Sequence, residues 1–237
     1  MGELNMIREY KFGRQVLKLN LKSEADESVF HEIFVDRDYM VVDDVVSEAS
    51  GIILDIGAHI GLFSMYARGL NDNVKIFAYE PAPENFAAMK SHLKDNKIDG
   101  VVAKNVAVTG GDGEAILFLN EDSHNHSIWN LFGDDKLKQV KVPTVSMSKI
   151  FERDLAKQGV EFCDLVKMDC EGAEFEILEA MEEGVFKKIG AFYIEYHEYL
   201  DGKKHENLVD TLQGNGLKTR VTKSRYDNKL GFIFAYR

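Results

Sequence analysis

A chain of 237 residues with 45% hydrophobic and 29% charged side chains, three prolines and one tryptophan has the make-up of a globular protein of one domain or slightly more, and excludes a disordered or collagen-like chain. Lys and Arg total 29 against 40 Asp and Glu, a formal charge of -11 that repels a phosphate backbone, so no nucleic-acid partner is expected. No uncharged apolar run reaches about 18 residues, and the opening MGELNMIREYKFGR lacks the apolar core of a secretory signal; a cytoplasmic protein without membrane insertion is expected.

Along the chain, VLKLNL (Val16 to Leu21) alternates like a strand and SVFHEIFVDRDY (Ser28 to Tyr39) reads as a short helix. These signals are irregular, so residues 1–50 are read as an N-terminal extension and 51–237 as the main domain. From Gly51 the pattern is regular. GIILDIG (Gly51 to Gly57) predicts a buried strand, Gly61 to Arg68 a helix, VKIFAYE (Val74 to Glu80) a second strand, and Pro83 to Asn96 a helix with proline in its first turn and Phe86, Met89 and Leu93 turned inward. A third strand is expected over Val101 to Val108, ended by TGGDG. Between Ala115 and Val142, strand-like AILFLN and KQVKV flank a polar stretch with Ser123, His124, His126, Ser127 and Trp129, which reads as an insertion able to cover one face.

Helix near Ser148 to Gln158, strand LVKMD (Leu165 to Asp169), helix near Ala173 to Glu182, strand AFYIE (Ala191 to Glu195), helix near His205 to Gln213 and two closing strands (Leu217 to Thr222, Gly231 to Tyr236) complete the series. In the helix near Ala173, Phe175, Leu178 and Met181 are expected inside and Glu174, Glu176, Glu179 and Glu183 outside. Cys163 and Cys170, without CxxC spacing, read as buried small hydrophobes, and KTRVTKSR (Lys218 to Arg225) as a solvated edge. Alternating strands and helices predict a doubly wound, mostly parallel α/β sheet with an antiparallel edge at the C-terminal end.

In such a sheet, ligands sit at the carboxyl ends of the strands. The first regular strand ends in DIGAHIG, where Gly57 permits a tight turn, Gly61 permits close packing of the next helix, and Asp55 puts a carboxylate beneath the turn. A pyrophosphate loop avoids negative charge; a sulfonium or ammonium ligand benefits from it. The spacing is also not GxGxxG, which disfavours a nicotinamide oxidoreductase. Glu80, 19 residues after Gly61, is placed to accept from both ribose hydroxyls, with Ala58 and Pro81 beside the ligand and Asn105, Val106 and Ala107 bordering adenine. Together these residues point to S-adenosylmethionine.

The stretches ILDIGAHIGLFS (Ile53 to Ser64), YEPAPENF (Tyr79 to Phe86), NVAVTGGDGEA (Asn105 to Ala115) and, most specific, DLVKMDCEGAEFEIL (Asp164 to Leu178) resemble the FkbM-type methyltransferases, a branch of the S-adenosylmethionine-dependent class with a seven-stranded Rossmann-like fold. The resemblance runs from about Ile52 to His197; VPTVSMSKIF and YIEYH also fit it, and Val106 departs from it where many such enzymes carry an acid. It implies O-methylation and places Glu171 and Gly172 at the cofactor or acceptor pocket.

A hydroxyl acceptor needs a proton sink, and Asp169, Glu171, Glu195 and His197 all project from strand ends to one edge; His197 is favoured as base because its ordinary pKa is near neutral. Asp169, Glu195 and His197 also suit a divalent cation, but no spacing demands one and no metal is expected. The reading is S-adenosylmethionine-dependent O-methylation of a small molecule, a saccharide or a lipid-linked head group. The alternatives are N-methylation of RNA or protein, and a non-catalytic module that binds the same ligand.

Overall fold

The structure is a computed structural model that describes residues 6–13, 15–120, 122–131, 133, 136–225 and 227–237. Strands β1 (Met6–Phe12) and β2 (Gln15–Leu21) form an antiparallel pair; α1 (Glu24–Phe30) continues as a π-helical turn over His31–Val35, and α2 (Asp43–Glu48) leads into the main sheet. There follow β3 (Ile52–Ile56), α3 (Leu62–Leu70), β4 (Lys75–Tyr79), α4 (Pro83–Asp95) and β5 (Val101–Lys104), then the short strands β6 (Ala107–Val108), β7 (Gly113–Leu119) and β8 (Lys138–Val145). After α5 (Met147–Lys149), extended by a π-helical turn to Leu155, come β9 (Cys163–Met168), α6 (Glu174–Ala180), α7 (Glu183–Phe186), β10 (Ile189–His197), α8 (His205–Gly214), β11 (Lys218–Lys223) and β12 (Leu230–Tyr236).

Seven strands make one sheet in the order β11-β12-β10-β9-β3-β4-β5, and β12 alone runs against its neighbours. The winding reverses between β3 and β9, so their carboxyl ends open a crevice. Every residue of β3 is buried, as a central strand covered on both faces requires. The closing strands form the expected antiparallel edge, with Lys218, Arg220 and Lys223 of β11 exposed.

The single strand expected over Val101 to Val108 is two strands in two sheets. The chain leaves the main sheet at Asn105, whose amide donates to the carbonyls of Glu80 (2.8 Å) and Pro81 (2.9 Å). Beyond it, β6 pairs in parallel with β8, and β8 pairs antiparallel with β7; the expected insertion is this three-stranded sheet and its long β7–β8 loop. A second correction concerns Glu174, expected outside but 0% exposed: α6 is only seven residues long and its first turn is sunk against the end of β10.

Residues on both sides of position 50 share one core. Leu17, Leu19 and Leu21 of β2, Phe30, Phe34 and Val46 pack with Ile53 of β3, Phe63 and Met65 of α3, and Met89 of α4. The opposite face of the sheet is covered by α5, α6 and α8. Leu19 is 0% exposed, so Leu19→Ala is expected to lower global stability by about 2–5 kcal/mol, as for a core leucine. Urea unfolding followed by circular dichroism checks this; an unchanged midpoint would mean that residues 1–50 fold apart from the sheet.

Candidate active site

At the carboxyl ends of β3 and β9 lies a partly enclosed cavity lined by both strand ends and by the segments that cover them. Gly57, Ala58, Glu80, Pro81, Ala107, Asp169 and Glu171, all named from the sequence, line it. Two of its lips are non-glycine residues in the left-handed region, His59 (φ 50°) and Glu171 (φ 53°), a sparsely populated conformation for side-chain-bearing residues. Each is tied down: the His59 N–H donates to Glu80 Oε2 (2.8 Å), and Ser127 Oγ donates to the Glu171 carbonyl (2.6 Å).

Other expected residues hold the cavity from behind. Gly57 (φ 72°) is required by the protein, since a Cβ there would fall 1.6 Å from the Asp169 carbonyl oxygen. Gly61 (φ 87°) abuts α4 rather than the strand; a Cβ would meet Met89 Cγ at 2.8 Å. Asn105 spends its amide on the Glu80 and Pro81 carbonyls, and Val106 packs into the core, so neither lines the cavity.

Asp55 does not offer its charge to the cavity. It is 0% exposed, accepts from Ser64 Oγ (2.6 Å), and sits opposite Lys167 in the β3–β9 register, with Nζ 3.4 Å from Oδ1. Lys167, 4% exposed, also donates to the Gly57 carbonyl (2.7 Å) and lies 3.6 Å from Asp169 Oδ2. Burial works against this ammonium, but Asp55 and Asp169 outweigh it and keep its pKa above the usual lysine value. The lysine inside the apolar run LVKMD was the sequence signal for it, overlooked because strands of this type are read for their hydrophobic residues.

His197 is held between two carboxylates, with Nδ1 3.0 Å from Glu174 Oε1 and Nε2 3.4 Å from Glu171 Oε1. Burial disfavours the charged ring, yet Glu171 and Glu174 more than compensate and raise its pKa well above 6.5. This environment departs from the expected base role: both ring nitrogens face carboxylates, which favour the charged form of the ring. With Asp169 and Glu171 the ring places three potential metal-ligand atoms within 4.8 Å of one another.

Three carboxylates, Glu80, Asp169 and Glu171, line the cavity against one ammonium, Lys167; Glu32 and Glu195 are not among its lining residues. Burial, with the charges of Asp169 and Asp38, lifts Glu32 to about 7; burial lifts Glu80 to about 8 against two N–H donors; and burial with Asp169 raises half-buried Glu195 well above 4.5. Against them stand Lys167 and His197. The N-terminal segment contributes directly to the cavity through Val29, Ile33 and Tyr39, and the β7–β8 loop covers it with Ser123, His124, His126 and Ile128. The loop was expected from its polar run. The N-terminal residues were not, because only packing brings them across the strand ends.

A sheet of this order with its cavity at the reversal is that of a Rossmann-like methyltransferase. Residues 55–219 match the Methyltransferase FkbM domain, and the chain belongs to that family. It is 25% identical over 216 residues to the 31-O-demethyl-FK506 methyltransferase FkbM of Streptomyces tacrolimicus, covering 79% of this chain and 80% of that protein. It is 24% identical over 251 residues to the AMB antimetabolite synthetase AmbE of Pseudomonas aeruginosa, covering 88% of this chain; the chain spans 11% of AmbE. Among solved structures, Methyltransferase FkbM from Methylobacillus flagellatus KT superposes with a TM-score of 0.52 at 14% identity, over 79% of this chain and 44% of that one. The METTL16 MTase domain gives 0.53 at 14% identity, over 95% and 74%. At such identities the structural likeness is one of fold. Among the described residues, no helix is long and apolar enough to cross a membrane.

His197→Ala would leave Glu174 buried without its partner, and a broken buried pair costs about 3–5 kcal/mol. The expected result is a lower denaturation midpoint with or without ligand; a variant as stable as the parent would show that the pair carries no structural charge balance. The His197 contribution to stability is present below pH 6.5 and is lost as the pH rises through its higher folded pKa.

Proposed function

We propose that this methyltransferase transfers the methyl group of S-adenosylmethionine to a hydroxyl of a small molecule, a saccharide or a lipid-linked head group, with residues 51–237 forming the catalytic unit and residues 1–50 closing its pocket. The observation that carries the reading is the surplus of carboxylates around an enclosed cavity. Buried acids whose pKa values burial has raised are favoured in their charged form by a ligand that brings positive charge, and a sulfonium nucleoside with an ammonium group does so. A nucleotide phosphate would meet the same acids as repulsion.

The residues fit that ligand. Glu80 is fixed at both oxygens, Oε2 by the His59 N–H and Oε1 by the Ala82 N–H (2.8 Å each), and each oxygen keeps a lone pair for a ribose hydroxyl. Pro81 and Ala107 supply an apolar wall, and Asp169 and Glu171 supply negative charge at the end of β9. The bound cofactor supplies a methyl group already activated on sulfur. The protein's share of the work is to align the acceptor oxygen and exclude water, which the β7–β8 loop and the N-terminal segment are placed to do. The acceptor class rests on this enclosure and on the formal charge of -11, both unfavourable for a nucleic-acid strand.

Glu80→Ala is expected to weaken S-adenosylmethionine binding by about 1–3 kcal/mol, measured by calorimetry. Because Glu32 and Glu80 hold protons up to about 7 and about 8, entry of the cation should displace protons, and affinity should rise between about pH 6 and about pH 8.5. S-adenosylhomocysteine, with neutral sulfur, should show a shallower dependence. Titrations in two buffers of different ionisation heat measure the released protons; equal pH profiles for the two ligands would remove the electrostatic basis of the reading. In the ligand-free protein these acids act in the opposite sense, and the fold loses stability as pH rises from 4.5 toward 8.

A further inference from the structure

The side chain of His59, in the DIGAHIG turn, meets both covering segments. Its Nε2 lies 3.0 Å from Ser123 Oγ in the β7–β8 loop and 3.5 Å from Asp26 Oδ1 in α1, and Ser123 Oγ donates to the same Asp26 oxygen at 3.3 Å. Asp26 is 4% exposed, and its other oxygen accepts from the Lys22 N–H (2.7 Å). A carboxylate only accepts, and a hydroxyl has a single proton to give. When that proton goes to Asp26, the ring nitrogen facing both groups carries hydrogen, and in this Nε2–H tautomer Nδ1 has a free lone pair.

That lone pair has no use within the fold. Nδ1 is buried without a hydrogen-bond partner, in a residue 9% exposed that walls the cavity. Orphaned buried acceptors are uncommon and call for a function. The charged and titratable groups around the ring are Asp26 from α1, Glu80 from the end of β4, His124 and His126 from the loop, and Lys167 and Asp169 from β9. Burial first, and then His124, push the ring's pKa down to about 3, so Nδ1 keeps its lone pair at neutral pH.

We propose that His59 Nδ1 faces the transferring methyl group and takes the proton of the acceptor hydroxyl, with Asp26 and Ser123 as positioning residues that hold the tautomer. The inference rests on the methyltransferase reading above. In the step, the acceptor oxygen bonds to the methyl carbon while that carbon's bond to sulfur breaks. The pair from the broken bond stays on sulfur as a neutral thioether, and the hydroxyl proton passes to Nδ1, giving an imidazolium next to the Asp26 carboxylate.

The test uses two ligands and no acceptor. Sinefungin carries an amine-bearing carbon where the cofactor has its methyl sulfonium, whereas S-adenosylhomocysteine has nothing at the methyl position. In ¹⁵N-labelled protein, the His59 ring should show the Nε2–H tautomer, and its Nδ1 resonance should move with sinefungin but not with S-adenosylhomocysteine. By calorimetry, His59→Phe should lose at least about tenfold more affinity for sinefungin than for S-adenosylhomocysteine, and Asp26→Asn should reduce the same preference. An Nδ1–H tautomer, or an Nδ1 that responds to both ligands alike or to neither, overturns the assignment while leaving the cofactor reading intact. Failure of both ligands to bind the parent protein overturns that reading and the assignment with it.

Discussion

A single buried ammonium organises the carboxyl edge of this sheet. Lys167 rises from β9 between the ends of the two strands where the winding reverses, pairs with Asp55 across the register, caps the Gly57 carbonyl and leans on Asp169. A lysine in a central strand is costly to desolvate unless neighbouring carboxylates and carbonyls replace its water, and here they come from both strands at once. The glycine turn after β3 is therefore held by the neighbouring strand, and its shape is a property of the sheet rather than of the turn's own sequence. Gly57 answers to the same constraint, since the Asp169 carbonyl occupies the space any side chain would need.

From that anchor outward, charge is arranged in layers. Asp55 is neutralised beneath the turn; Glu174 and Glu171 are balanced by the His197 ring; Glu32, Glu80 and Glu195 remain, with pKa values raised first of all by burial. Structural ion pairs and a poised binding field thus sit within one cluster, and their environments tell them apart. Asp55 and Glu174, each with a partner of opposite charge, hold the scaffold, while Glu80, Asp169 and Glu171 line the cavity.

The cover of the site is built from distant parts of the chain. Residues before position 50 share the core of α3 and α4, and through Asp26 they reach the same serine that the β7–β8 loop lays against His59. Closure and chemistry are coupled at this contact, because the ring that walls the cavity takes its tautomer from the segments that cover it. The π-helical turn after α1 sets Ile33 against the cavity while Glu32 feels Asp169.

The order of strands and helices, the two turns at the ends of β3 and β9, and the acid after β4 were legible in the sequence, because fully buried strands demand apolar runs and tight turns demand glycine. Gly57, Ala58, Glu80, Pro81, Ala107, Asp169 and Glu171, named from the sequence, line the cavity. The roles of Asp55, Glu174, Asn105 and His197 did not follow, since a side chain's charge state and partner depend on what lies across the register or beneath the helix. Lys167, His59 and Asp26 belong to the same group: each is an ordinary polar residue in the chain and acquires its role through neighbours more than 60 residues away, such as Ser123, 64 residues from His59, and Ile56, 111 residues from Lys167. Periodicity reports which face of an element is buried, and only the packed structure decides which buried charges meet.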